Sequence, residues 1–63
     1  MKIAVFLAPG FEDIEAVTPV DVLRRAGFTV VTAAVGANGR QVTSAHDLTI
    51  VADALAEDLK PAD

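Results

Sequence analysis

The sequence predicts an α/β fold: the opening βαβ portion of a larger parallel-sheet domain, followed by a short β-hairpin. Three observations predict it. The run Ile3-Ala4-Val5-Phe6-Leu7-Ala8 is apolar at every position. A strand with water on one face alternates, whereas one covered on both faces reads as a continuous apolar run. A helical stretch and then a second strand follow, the order of a parallel crossover. Finally, the composition is 52% hydrophobic over 63 residues, richer than so short a chain needs for its own core.

The first strand covers residues 3–8 and reads as the central strand of its sheet. Pro9-Gly10 ends it, because proline cannot donate to the ladder and glycine permits a sharp turn. The helix is expected over residues 12–26. Glu12, Asp13 and Glu15 in its first turn and Arg24 and Arg25 in its last suit the helix dipole at both ends. Gly27 occupies the left-handed cap position. Pro19 removes one internal hydrogen bond and crowds the carbonyl of residue 15. Either one kinked helix continues through it, or a second begins with Thr18 as N-cap and Pro19 at the first position. One kinked helix is the preferred reading.

The second strand spans residues 28–35, rich in β-branched side chains. Asn38-Gly39 marks a tight turn. Residues 41–44 and 48–51 form a hairpin about Ala45-His46-Asp47. A short helical piece runs from Asp53 to Leu59, and Pro61 ends it. Two parallel strands joined by one helix cover only one face of a sheet, yet the first strand demands cover on both. The chain stops where another strand and helix should begin, so residues 1–63 are expected to be the N-terminal, incomplete portion of a single domain.

Bulk properties exclude several functions. At this size a chain buries only about 60% of the surface its unfolded form exposes. The absence of cysteine removes disulfides and thiolate metal sites, and one histidine, His46, cannot build a zinc site. The net charge is −4, and the basic residues Lys2, Arg24, Arg25, Arg40 and Lys60 form no stripe, so no nucleic-acid partner is expected. The longest apolar run is too short to span a bilayer, and no signal-peptide cleavage pattern follows it, which points to a cytoplasmic protein without a membrane partner. No glycine-rich dinucleotide fingerprint or P-loop is present, and no cofactor is expected. An anion site at Pro9-Gly10 is opposed by the three acids that follow.

One residue breaks the helix pattern. At about 100° per residue, Phe11, Pro19, Val22, Leu23 and Ala26 cluster on one arc, with Asp13, Asp21, Arg24 and Arg25 on the other side. Glu15 falls in the middle of the apolar arc. In one reading it is a first-turn acid that gains from the dipole and leans into water. In the other it is a carboxylate held at the carboxyl ends of parallel strands, where α/β folds place ligands. Partial burial there would favour its protonated form, able to donate a hydrogen bond. His46 beside Asp47 reads as a solvated hairpin tip rather than an oriented acid/base pair, and Arg24-Arg25 as a helix end with a contact role at an interface.

The block Ala8-Pro9-Gly10-Phe11-Glu12-Asp13-Ile14-Glu15-Ala16-Val17, continuing through Thr18-Pro19-Val20-Asp21-Val22-Leu23-Arg24-Arg25-Ala26-Gly27, resembles the DJ-1/PfpI superfamily in its ThiJ-like branch. The likeness resumes at Thr43-Ser44-Ala45-His46-Asp47-Leu48 and Val51-Ala52-Asp53. The resemblance implies a flavodoxin-like α/β sandwich, here partial, and a homodimer in the complete protein. It also implies a site that pairs a cysteine on a strand-to-helix elbow with a glutamate of the first helix. Glu15 falls on that glutamate, as a supporting acid. Asp21, Arg24 and Arg25 fall near the dimer contact, and His46 falls where relatives often carry arginine, at the interface edge of the site.

Activities implied by the resemblance are glyoxalase or deglycase action on small carbonyl substrates, peptidase or amidase action, and redox-sensing, stress-response or chaperone roles. This chain holds no cysteine, so a carboxylate without its thiol cannot perform covalent catalysis. Two other readings stand beside the enzyme: an interaction or chaperone-like module using an uncovered apolar face, and a flavodoxin-like nucleotide domain, which the acidic turn disfavours.

Overall fold

The computed structural model describes residues 2–59. Strand β1 (Lys2–Leu7) leads into helix α1 (Asp13–Arg25), which returns the chain to β2 (Thr29–Ala34). A hairpin follows, β3 (Gln41–Thr43) and β4 (Thr49–Val51), then a short strand β5 (Ala54–Leu55) and a 3₁₀ turn (Ala56–Asp58). β1, β2 and β5 make a parallel sheet in the order β1-β2-β5, and the hairpin is a separate antiparallel pair. This is α/β architecture: a parallel βαβ unit with a small hairpin, a partial flavodoxin-like sandwich.

The turn from β1 into α1 follows from Pro9-Gly10. Ala8 O accepts the Phe11 N–H at 3.1 Å, and Gly10 has φ 86°. Proline at the second position and a left-handed glycine at the third define a type II turn. At the other end of α1, Gly27 N–H reaches Arg24 O and Phe28 N–H reaches Leu23 O, both at 3.1 Å, with Gly27 at φ 94°. That paired pattern is a Schellman cap. One continuous helix runs through Pro19. The ring has no N–H to give to the Glu15 carbonyl one turn earlier.

Successive residues of a strand face opposite sides of the sheet. In β1–β2 the parallel register sets Ile3 against Val30, Val5 against Thr32 and Leu7 against Ala34. Leu7 and Ala34 join Val42 and Ala52 in the buried core, with Val5, Phe11, Ala16, Ile50 and Leu55 packed around them. The core is small-grained, Val42 being its largest fully buried side chain. On the opposite face Phe6 is 60% exposed. The Cα trace is only 13 Å through its thinnest direction. One helix layer on one sheet layer needs about 10 Å, so there is no second covering layer among the described residues.

Among the described residues β1 lies at the edge of the sheet and β2 in the middle; the central place expected for β1 concerns the larger sheet, which these three strands do not test. Several expectations are corrected. The expected helical piece from Asp53 begins instead with β5, which pairs Ala33 with Ala54 and Ala34 with Leu55 before the 3₁₀ turn. A third parallel strand is thus already present. The expected stop at Pro61 lies outside the described residues. The helix wheel is also rotated from expectation. The half-buried residues of α1 are Asp13, Ala16, Val20 and Leu23, whereas Glu15, Pro19 and Val22 are exposed. Of the arc singled out from the sequence, Phe11 and Leu23 turn toward the core, while Glu15, Pro19, Val22 and Ala26 are exposed. The outer surface of the helix carries Val22, 54% exposed, together with Ile14, which lay outside that arc and is 78% exposed.

Candidate functional site at the start of the first helix

Two backbone bonds fasten the hairpin to the β1–α1 turn. Gly10 N–H donates to Thr43 O at 2.8 Å, and Ala45 N–H donates to Phe11 O at 2.9 Å. The hairpin tip itself is a three-residue loop: Asp47 N–H reaches Ser44 O at 3.1 Å, and Ser44 N–H reaches Leu48 O at 2.8 Å. Asp47 takes the left-handed conformation, φ 66°, as the last loop residue of such hairpins does. Ser44 is buried and its Oγ accepts the N–H groups of His46 (3.3 Å) and Leu48 (3.1 Å). These bonds carry His46 to the first turn of α1.

Glu12, Asp13, Ile14, Glu15 and His46 line an open depression of about 420 Å³ there. It lies at the carboxyl end of β1, the end at which open α/β sheets place ligands. Two sequence-predicted residues, Glu15 and His46, meet at this depression. Glu15 is exposed, and no segment among the described residues gives it the burial its second reading requires.

Asp13, which the wheel had put with the solvated residues, is the half-buried acid of the site. His46 Nδ1 stands 3.6 Å from its Oδ1. That oxygen is shut from water and meets no donor in hydrogen-bonding geometry. The carboxyl is nonetheless held below its ordinary value of 3.8. The Ser44 hydroxyl is the largest cause; desolvation opposes it, and His46 adds a smaller lowering. Ser44 accepts two N–H groups and keeps its own proton free to donate, which is why it favours the anion.

The remaining predicted residues lie elsewhere. Asp21 and Arg25 pair one turn apart on the open side of α1, Arg25 Nε to Asp21 Oδ1 at 3.0 Å. Arg24 turns inward. Its guanidinium donates to Val30 O at 2.8 Å and to Asp53 Oδ2 at 3.0 Å. Asp53 Oδ2 also accepts the Thr32 N–H at 3.0 Å and the Thr32 hydroxyl at 3.1 Å, and Asp53 N–H donates to Thr32 Oγ1 at 2.9 Å. These bonds hold the Asp53 carboxyl below its ordinary value, the Thr32 amide first among the causes and Arg24 among the lesser ones. Sequence reasoning missed this cluster. A groove of about 210 Å³, lined by Ala16, Val17, Val20, Ile50 and Val51, ends on Arg24 and Asp53.

Chemically, the depression offers carboxylates and one imidazole, groups suited to proton transfer or to holding a polar substrate. It offers no nucleophile. Among the described residues no cluster of three or more histidine, aspartate or glutamate side chains is placed to hold a metal ion. No described helix is long and apolar enough to cross a membrane.

Comparisons with known proteins agree on one relationship. A cysteine-to-alanine mutant of a DJ-1 superfamily protein from Salmonella typhimurium is 47% identical, with a TM-score of 0.84 over 90% of this chain and 30% of its own. The oxidized form of Toxoplasma gondii DJ-1 is 41% identical, with a TM-score of 0.82 over 86% of this chain and 29% of its own. A mutant of Schizosaccharomyces pombe DJ-1 superposes over 100% of this chain at a TM-score of 0.88, with 28% identity and 34% of its own length covered. The chain therefore spans about a third of the solved structures it matches. The sequence profile of the DJ-1/PfpI family matches residues 1–63. On that match, and on the shared fold, the chain belongs to the DJ-1/PfpI family.

Proposed function

We propose that these residues are the N-terminal part of a single DJ-1/PfpI-type domain whose complete form performs cysteine-dependent glyoxalase or deglycase chemistry on small carbonyl compounds, in the cytoplasm and as a homodimer. Glu15 is the supporting acid, and the cysteine comes from the rest of the domain. The observation that carries this reading is the depression at the carboxyl end of β1, into which Glu15 opens beside Asp13 and His46. A thiol brought against that opening would cover the carboxylate and favour its protonated form. The protonated acid would then donate a hydrogen bond to the sulfur and stabilise the thiolate. Two of the structural relatives were solved as a cysteine-to-alanine mutant and in an oxidized form, which fits a reactive thiol. The same site would serve an oxidative-stress response, since a thiolate of lowered pKa is the form that oxidises.

In this reading the 63-residue chain alone is inactive, having no cysteine. Asp21, Arg25 and His46 lie on open surface and are proposed contacts of the homodimer; Arg24 reaches the same surface only with the exposed half of its side chain. The test is to express the reading frame extended past Asp63 and follow loss of methylglyoxal. Turnover that disappears with the cysteine and falls at least tenfold in Glu15→Gln is expected, because acid–base partners contribute about 10²–10⁴. Full turnover in Glu15→Gln, or a frame with no cysteine-bearing segment, overturns the reading.

A second reading, a chaperone-like or interaction module, is favoured by one observation. Phe6, Ile14, Val22 and Val51 are all more than half exposed, and large apolar side chains left open on several faces are surface that an interaction partner can cover. Suppression of aggregation of an unfolded client by the 63-residue chain itself would support it; no suppression would remove it.

A further inference from the structure

The pairing of His46 with Asp13 stands apart from the proposed thiol chemistry. Asp13 Oδ1 is a carboxylate oxygen out of contact with water and short of a hydrogen-bond donor. Leaving such an oxygen unmet is costly. The nearest ring nitrogen, His46 Nδ1, is 3.6 Å away, beyond hydrogen-bonding distance by about half an ångström. The ring is 70% exposed, whereas the backbone on either side of it is held: Ala45 N–H is bonded to Phe11 O, and Asp47 N–H to Ser44 O. Closing a gap of about half an ångström asks for a turn of the side chain and leaves both backbone bonds in place.

We infer that His46 and Asp13 form a pH-dependent latch that tightens the hairpin tip onto the first turn of α1 when the imidazole is protonated. The charged ring carries an N–H on both nitrogens, so either presents a charge-assisted donor to Asp13 Oδ1. The groups facing the ring from α1 are Glu12, Asp13 and Glu15, and its own loop adds Asp47; no lysine or arginine lines the depression among the described residues. Asp13 stays ionised across the range in which a histidine changes charge, because its carboxyl is held below the ordinary value. The latch sits on the rim of the depression that holds Glu15, so its closure narrows the opening under mildly acidic conditions. It concerns the same depression as the proposed activity but does not depend on that activity.

The test is amide hydrogen exchange resolved by NMR on the full chain at pH 5.5 and pH 8, corrected for the intrinsic exchange rate. The reporter is the Ala45 N–H of the strap, and the Val35 N–H, bonded to Leu7 O on the far side of the sheet's end, is the reference. Protection of Ala45 relative to Val35 is expected to be about two- to fivefold higher at pH 5.5, the size a partly exposed pair supplies. His46→Gln removes the difference by weak protection at both pH values. His46→Arg removes it by strong protection at both. Equal relative protection at the two pH values in the natural sequence overturns the latch, as does an unchanged pH response in His46→Gln. None of these outcomes bears on whether Glu15 serves a cysteine, which is read by turnover alone.

Discussion

Asp53 Oδ2 accepts the backbone N–H of Thr32 at 3.0 Å, and the Asp53 N–H returns a bond to Thr32 Oγ1 at 2.9 Å. The bonds tie the middle of β2 to the residue just before β5. β5 itself pairs only Ala33 and Ala34, so the Asp53 side chain continues the ladder one residue further than the backbone does. Arg24 bridges the same carboxylate to the Val30 carbonyl. Helix, central strand and third strand are thus joined at one half-exposed carboxylate, which fixes where β5 lies.

Removing that carboxylate should loosen β5 before anything else. Asp53→Ala is expected to cost about 1–2 kcal/mol, the value of a few hydrogen bonds discounted for solvent access. Thr32→Val should cost about 1 kcal/mol by deleting the hydroxyl alone. Urea midpoints at a fixed protein concentration check both, and a double mutant whose loss is smaller than the sum would confirm that the two residues act as one unit.

Arg24 and Arg25 are adjacent, yet they should differ. Arg25 pairs with Asp21 with both side chains well exposed, and Arg25→Ala should change stability by less than about 0.5 kcal/mol. Arg24→Ala removes the donor from a backbone carbonyl and from Asp53 and should cost about 1 kcal/mol or more. Equal effects of the two substitutions in the same urea titration would argue against the inward placement of Arg24.

Acid should act through two aspartates. Asp13 and Asp53 are both held below the ordinary 3.8, so the unfolded chain binds more protons than the folded one as pH falls through that region. Their contribution is fully present above the unfolded value and is lost as pH falls through the lower folded values. Thermal melts between pH 6 and pH 2 should show this decline, and Asp53→Asn should flatten part of it.

The turn glycines carry a backbone cost of their own. No atom lies within 4 Å of a Cβ built on Gly10 or Gly27, so space is available at both, but their φ values are 86° and 94°. Alanine at either position should destabilise by about 1–2 kcal/mol through the left-handed backbone alone. An alanine variant of either with an unchanged melting temperature would contradict the turn and cap assignments.

Much of the architecture is legible locally. The Pro9-Gly10 turn, the cap at Gly27 and the hairpin at 45–47 are set by residues within a few positions of each other, and all three form. β5 is not legible, because Ala54 and Leu55 favour helix by themselves and become a strand only by pairing with Ala33 and Ala34, about twenty residues earlier. The role of Asp53 is hidden for the same reason. The helix wheel misled at Asp13: an acid on the inward row is sensible only once Ser44 and His46 arrive from the hairpin. The outer side of the helix nevertheless carries exposed Ile14, Val17 and Val22.

Phe6 on the open face of the sheet and Ile14 on the outer side of α1 are the most direct probes of the two uncovered apolar surfaces, 60% and 78% exposed. The most decisive measurement is sedimentation velocity of the 63-residue chain over a hundredfold range of concentration, alongside a Phe6→Lys/Ile14→Lys variant. The account predicts concentration-dependent association above the 6.5 kDa monomer mass, reduced in the variant. A monodisperse, cooperatively melting monomer at every concentration would contradict it.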